Sequence, residues 1–262
     1  MFGTILVATD GSGTATRAVD LAARIAKATS ATLHVISVYG DPGSGGPLQP
    51  EQAAGIDVAT GLLEDVRKHH GDEITLETGA HPGDPAEVII AVAEKLGADL
   101  IVAGDRGMGS PKHVLGNIPN TLSHHAPCHL LLAHTDDGAV GDLRITKVVL
   151  ATDGSATATS ALRAGYALAD AMGAKALVLT VAEAGDGARI LEQTRKELDR
   201  DIDGRVVQGS VTDAIVETAA SIGADLIVTG SKGMQGARRL LGSVPNSVSH
   251  NTPCSLLIAK TV

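Results

Sequence analysis

Two segments of this chain carry residue types at spacings suited to holding a phosphate. The first runs from Gly97 to Asn120 and contains Gly104, Gly107 and Gly116, with Asn117 following. The second runs from Gly223 to Asn246 and contains Gly230, Gly233 and Gly242, with Ser243 following. Each follows an apolar run, Ala98-Asp-Leu-Ile-Val or Ala224-Asp-Leu-Ile-Val, that reads as a strand. Closely spaced glycines let backbone N–H groups turn toward an anion, and a following helix start adds a positive dipole. The same glycines could instead serve a tight strand-to-helix turn that binds nothing. The repetition of the third glycine and the polar residue at equal spacing favours phosphate. Arg106, Lys112, Lys232 and Arg238 fall in or near these loops, where they could neutralise phosphate charge or simply be solvated.

A second pair of motifs is Ala8-Thr9-Asp10-Gly11-Ser12 and Ala151-Thr152-Asp153-Gly154-Ser155. An Asp at the end of a strand, near a phosphate loop, suits a sugar hydroxyl or an amino group. Its structural alternative is an N-cap or Asx-turn before the next helix. His124, His125, Cys128 and His129 resemble a metal cluster on paper, but the second copy keeps only His250 and Cys254. Their spacing matches no standard zinc pattern, so no metal site is expected. Cys128 and Cys254 read as small buried apolar residues. His69 and His70 close a helix, where they complement its C-terminal dipole.

The elements that must position these motifs come from an internal repeat. Asp153 lies 143 positions after Asp10, whereas Gly230 and Cys254 lie 126 positions after Gly104 and Cys128. The first copy is therefore 17 residues longer. Val38 and Val181 keep the longer offset and Gly83 and Gly209 the shorter one, so the extra residues lie between 38 and 83. The Gly/Pro-rich stretch Gly40–Pro50 is expected to hold most of them as a surface loop. The expected domains are residues 1–138 and 143–262, joined by a short polar linker around 135–142.

Within each copy strands and helices alternate. The first gives strands at about 4–9, 32–38, 74–79, 99–103 and 129–133, with helices at about 14–29, 52–69, 85–96 and 117–125. The second gives strands at about 147–152, 175–181, 204–208, 225–229 and 255–259, with helices at about 157–172, 187–200, 212–222 and 243–250. Strands such as Leu100-Ile-Val-Ala are continuously apolar, as expected when helices cover both faces. The pattern is that of an α/β protein with two tandem doubly wound parallel sheets. Ligands in such sheets sit beyond the strand carboxyl ends, where the strand order reverses. Asp10 and Gly104 are then expected to flank one crevice.

Composition limits the function classes. The 262 residues are 44% hydrophobic and 19% charged, with a net charge of −9. That charge argues against a nucleic-acid surface. Phe2, Tyr39 and Tyr166 are the only aromatics, too few for stacking single-stranded bases. No apolar run reaches the roughly 18 residues of a membrane span. The N-terminus reads as a strand rather than a leader, and a cytoplasmic location is expected.

Val-Ala-Thr-Asp-Gly-Ser, Ala-Asp-Leu-Ile-Val, the three-glycine loop and His-x-x-Pro-Cys (His124 to Cys128, His250 to Cys254) together resemble the universal stress protein family. The resemblance covers both copies and is similar to the tandem-domain branch. It implies a Rossmann-like fold and, for the subgroup with a Gly-x2-Gly-x9-Gly-Ser/Thr loop, ATP, with Mg2+ accompanying the triphosphate. On that resemblance Ala8, Thr9, Asp10 and Val35 would face ribose or adenine in the first domain, with Gly104, Gly107, Gly116, Asn117 and Ile118 on phosphates and ribose. Ala151, Thr152, Asp153, Val178, Gly230, Gly233, Gly242, Ser243 and Val244 would do so in the second. The chain departs from the pattern in a spacer of eight residues and in Asn117, where the family has Ser or Thr.

The resemblance implies a stress-response protein that binds an adenine nucleotide and works through a change of state, with little or slow hydrolysis and no assigned catalytic residue. Its domains would pack as an intramolecular pseudo-dimer, with a homodimer and unnamed protein partners left open. No Walker Lys-Ser/Thr follows either glycine loop. Two alternatives stand beside this reading: a nucleotide hydrolase or nucleotidyl transferase, and an interaction module that binds no nucleotide.

Overall fold

The computed structural model describes residues 2–40, 50–105, 115–134, 144–231 and 242–261. Gly107, Gly233, Arg106, Lys112, Lys232, Arg238, residues 41–49 of the Gly/Pro-rich stretch and the linker at 135–142 lie outside them. The first half runs β1 (Thr4–Ala8), α1 (Gly13–Thr29), β2 (Thr32–Tyr39), α2 (Pro50–His70), β3 (Leu76–Pro82), α3 (Pro85–Leu96), β4 (Leu100–Gly104), α4 (Asn117–His125) and β5 (His129–Ala133). The second repeats it as β6 (Lys147–Ala151), α5 (Ala156–Met172), β7 (Lys175–Val181), α6 (Ala184–Leu198), β8 (Asp203–Val207), α7 (Val211–Ile222), β9 (Leu226–Gly230), α8 (Ser243–Asn251) and β10 (Ser255–Ala259).

Local chemistry sets the element starts. Ser12 caps α1 by accepting the Ala15 N–H at 3.2 Å, and Ser155 caps α5 through the Ala158 N–H at 3.1 Å. Asp84 caps α3 by accepting the Ala86 and Glu87 N–H groups, with Pro85 opening the helix. Two sequence-derived bounds shift. β3 begins at Leu76 and runs to Pro82, because its register is set by pairing with β2 from Leu33–Leu76 to Tyr39–Pro82. α6 begins at Ala184, three residues before the apolar spacing suggests, since Gly187 bonds back to the Glu183 carbonyl.

The strands form one ten-stranded sheet in the order β3-β2-β1-β4-β5-β10-β9-β6-β7-β8. Every pairing is parallel except β5 with β10, which is antiparallel. The two halves thus meet along their last strands about a local pseudo-two-fold through Leu131 and Leu257. Alternate strand residues face opposite sides. Ile5, Val7, Val35 and Val102 pack under α1 and α2, and Leu150, Val178 and Val228 continue that core under α5 and α6. Leu6, Ile36, Ile101 and Leu130 pack under α3 and α4, and Val149, Leu179, Ile227 and Ile258 under α7 and α8. Nearly all of it is aliphatic, as the aromatic-poor composition requires.

Two matched hydrogen bonds pin the joint. The His134 N–H donates to Ser255 Oγ at 3.1 Å, and the Lys260 N–H donates to His129 Nδ1 at 3.0 Å. His129 and Ser255 are equivalent positions, as are His134 and Lys260. Lys260 Nζ also reaches the Ala126 carbonyl at 3.0 Å. Burial holds the His129 imidazole below the ordinary histidine value, so Nδ1 stays available as an acceptor.

Candidate functional site

The strand order reverses between β1 and β4 in the first half and between β6 and β9 in the second. A cavity opens at the carboxyl ends of the strands at each place. The first, of about 320 Å3, is bordered by Ala8, Thr9 and Asp10 after β1, by Ala103 and Gly104 of β4, and by Asn117 and Ile118 of α4. The second, of about 140 Å3, is bordered by Ala151, Thr152 and Asp153, by Thr229 and Gly230, and by Ser243 and Val244. Most of the residues named from sequence are therefore brought together twice, in the same arrangement.

The Asp-Gly-Ser turns are built by their own side chains. Asp10 Oδ1 accepts the Ser12 N–H at 2.9 Å, and Thr9 Oγ1 accepts the Gly11 N–H at 3.2 Å. Asp153 Oδ1 likewise accepts the Ser155 N–H at 3.0 Å and its hydroxyl at 2.6 Å. Gly11 and Gly154 hold φ of 78° and 76°, a conformation that side chains disfavour. A Cβ on Gly11 would lie 2.6 Å from Leu62 Cδ2, so α2 closes over the turn. The Asx-turn alternative is thus realised. It uses one oxygen of each exposed carboxylate, and Oδ2 of Asp10 and of Asp153 makes no hydrogen bond among the described residues.

The opposite wall is a helix N-terminus without a side-chain cap in either half. Gly116 and Gly242 are the N-cap residues, with extended backbone. Their own N–H groups bond the Asp105 and Ser231 carbonyls at 3.1 and 2.9 Å, which ties the end of each glycine segment to its beginning. Asn120 and Asn246 bond back to Gly116 and Gly242, and Pro119 and Pro245 have no N–H. Among the described residues, the N–H groups of Asn117 and Ile118, and of Ser243 and Val244, are the first-turn donors without a partner. These four residues border the cavities, where the positive end of the helix dipole favours an anion. The base of each loop is also held to the joint, because Asp105 and Ser231 donate to the Ala133 and Ala259 carbonyls. In the first half alone, the Asp105 carboxylate lies 2.9 Å from His134 Nδ1.

Val35 and Val178 lie apart from the residues that border the cavities. Both are fully buried in the core beneath α1, α2, α5 and α6, on the sheet face away from the cavities. Val38 and Val181, three residues on and of opposite parity, border the cavities instead. The sequence reading also lacks Pro85 and Ile89 of α3, Val211 and Ile215 of α7, and Thr229. Their signal is positional, since the helix crossing in front of the switch point must wall the crevice. Cys128 and Cys254 are free thiols outside both cavities, pushed up to about 12 by burial.

An open sheet with helices on both faces and a crevice at each switch point defines a tandem, doubly wound α/β protein with Rossmann-like halves. The chain belongs to the universal stress protein family, whose sequence profile matches residues 1–134 and 187–260. A universal stress protein of Mycolicibacterium smegmatis is 27% identical over an alignment of 288 positions, covering 98% of this chain and 96% of that one. One from Mycobacterium tuberculosis is 32% identical over 143 residues, 51% of this chain and 97% of its own length. The crystal structure of a universal stress protein from Archaeoglobus fulgidus shares the fold, with a TM-score of 0.76 at 21% identity over 98% of this chain and 96% of that chain. Among the described residues no helix is long and apolar enough to cross a membrane.

Proposed function

We propose that this universal stress protein binds an adenine nucleotide, ATP in the first place, at two sites and signals through the liganded state rather than through turnover. The observation that carries the reading is the pairing, in both halves, of an uncapped helix N-terminus with an apolar cavity and an exposed carboxylate. Phosphate would sit on the N–H groups of Asn117 and Ile118, or of Ser243 and Val244, and on the glycine segments around Gly107 and Gly233. The ring would lie among Val38, Pro85 and Ile89, or Leu179, Val181, Val211 and Ile215. Asp10 or Asp153 would accept from ribose hydroxyls or the adenine amine through the oxygen its turn leaves open.

Mg2+ would arrive with the triphosphate rather than occupy a cage of its own. Among the described residues each cavity has one carboxylate, half committed to its turn, and no three His, Cys, Asp or Glu side chains converge. The Asp turns supply an acceptor but no group poised on an attacking water, which supports slow hydrolysis at most. Residues 1–138 and 143–262 would be the two units of a cytoplasmic stress-response regulator. Because each loop base is bonded to a joint strand, filling a site would be felt at the β5–β10 seam. Calorimetric titration of nucleotide-free protein with ATP, followed by a turnover assay, tests this. The reading expects saturable binding with turnover near background. Rapid turnover, abolished by Asp10→Ala or Asp153→Ala with binding intact, would replace it with a hydrolase.

A further inference from the structure

The two cavities differ in one buried hydroxyl. Thr229 on β9 stands where β4 has Ala103, 126 positions earlier. Thr229 shares its sheet face with Ile227, toward α7 and α8, and borders the second cavity. It is 3% exposed, and its Oγ1 is buried with no hydrogen-bond partner among the described residues. Other described residues have such orphaned atoms, Thr180 and Thr194 among them, but of that set Thr229 alone borders either of these two cavities.

A buried hydroxyl without a partner destabilises the chain that carries it. A water molecule would satisfy it only where the site also offers the water at least one further polar partner. Much of the cavity wall, Leu179, Val181, Val211 and Ile215, provides none, and its polar side chains apart from Thr229 are Thr152, Asp153 and Ser243. A ligand entering the cavity can provide one. From the assignment of this cavity to a nucleotide, on which the argument rests, we infer that Thr229 Oγ1 reads the ligand in the second site. It hydrogen-bonds a polar edge of the heteroaromatic base, whose faces lie on the aliphatic wall while the phosphates sit on the Ser243 and Val244 N–H groups. The first site, with Ala103, has no equivalent group and distinguishes bases less sharply. The two halves are then repeats in fold but unequal in selectivity.

The test uses the full chain carrying Asn117→Asp, whose carboxylate at the start of α4 repels phosphate from the first site. In that background Thr229→Val, nearly isosteric, is compared with Thr229→Ser by ATP titration. Loss of one hydrogen bond predicts about tenfold weaker binding for the Val variant, and binding within about twofold of the parent for the Ser variant. The unliganded Val variant should melt no lower than its parent, because an orphaned hydroxyl has been removed. Unchanged ATP affinity in Thr229→Val overturns the inference and leaves the hydroxyl as a plain packing defect. No ATP binding by the wild-type chain would be a different failure, of the nucleotide reading itself.

Discussion

Replacing Ser243 by Asp should strengthen the fold and weaken ligand binding at the same time. Ser243 is the first residue of α8, exposed and on the cavity wall. A carboxylate there faces the unpaired N–H groups of its own helix, which stabilises a first turn by about 0.3–1 kcal/mol. For a chain of this size that is a rise of about 1–3 °C in melting temperature. A phosphate held by the Ser243 and Val244 N–H groups would lie about 5 Å from the new charge. At an effective dielectric constant of about 20–40 the repulsion is about 1.7–3.3 kcal/mol per phosphate charge. That corresponds to about 20- to 250-fold weaker binding. Ser243→Asn has nearly the same shape without the charge and reproduces the residue of the first site, so it should bind within a few-fold of wild type. The assay is ATP calorimetry beside thermal melting for wild type, S243D and S243N. A stabilised S243D that binds ATP as wild type does would refute the placement of phosphate at this helix end.

Three further outcomes follow from the geometry. Gly11→Ala and Gly154→Ala should each cost about 1–2 kcal/mol by urea unfolding, because both need φ near +77°. Gly11→Ala should cost more, since Leu62 must also move. Folding lowers the His129 value, so the unfolded chain binds more protons as pH falls below about 6.5. Stability should therefore be complete above that pH and decline as pH falls toward the lowered value. His129→Asn, which does not titrate, should show a shallower acid slope, and an identical slope would remove His129 from the joint. Cys254, buried and raised to about 12, should react with a thiol reagent at pH 8 only after denaturant is added, whereas the half-buried Cys128 should react slowly in the native protein because its thiol is raised to the same value. Fast labelling of Cys254 in the native protein would contradict its burial.

The repeat is the part of this fold most legible in the chain. Its changing offset separates the halves, and apolar runs such as Leu100–Ala103 are read correctly as strands. Which side a strand residue faces is not legible, and Val35 shows why. β2 is apolar on both faces, so Leu33, Val35, Ile36 and Val38 show no alternation from which to choose, and only the positions of α1 and α3 decide. The antiparallel seam is hidden for a related reason. Leu130–Leu132 and Leu256–Ile258 are ordinary buried strands, and nothing local says that they pair with each other rather than with a second chain. Asp10 was legible as an end-of-strand carboxylate, while the division of its oxygens between turn and cavity needed the coordinates. Thr229 reads as one more β-branched residue until its missing partner is seen.

On the proposed function, each half of the chain holds a nucleotide. The most direct measurement is to purify the protein without added ligand, strip and quantify any nucleotide released on denaturation, then titrate the refolded or ligand-free protein with ATP. Two working sites would release adenine nucleotide and give a total capacity near two per chain. No released nucleotide and no binding on titration would contradict the proposal, leaving the glycine segments as turns and the protein to act through partners alone.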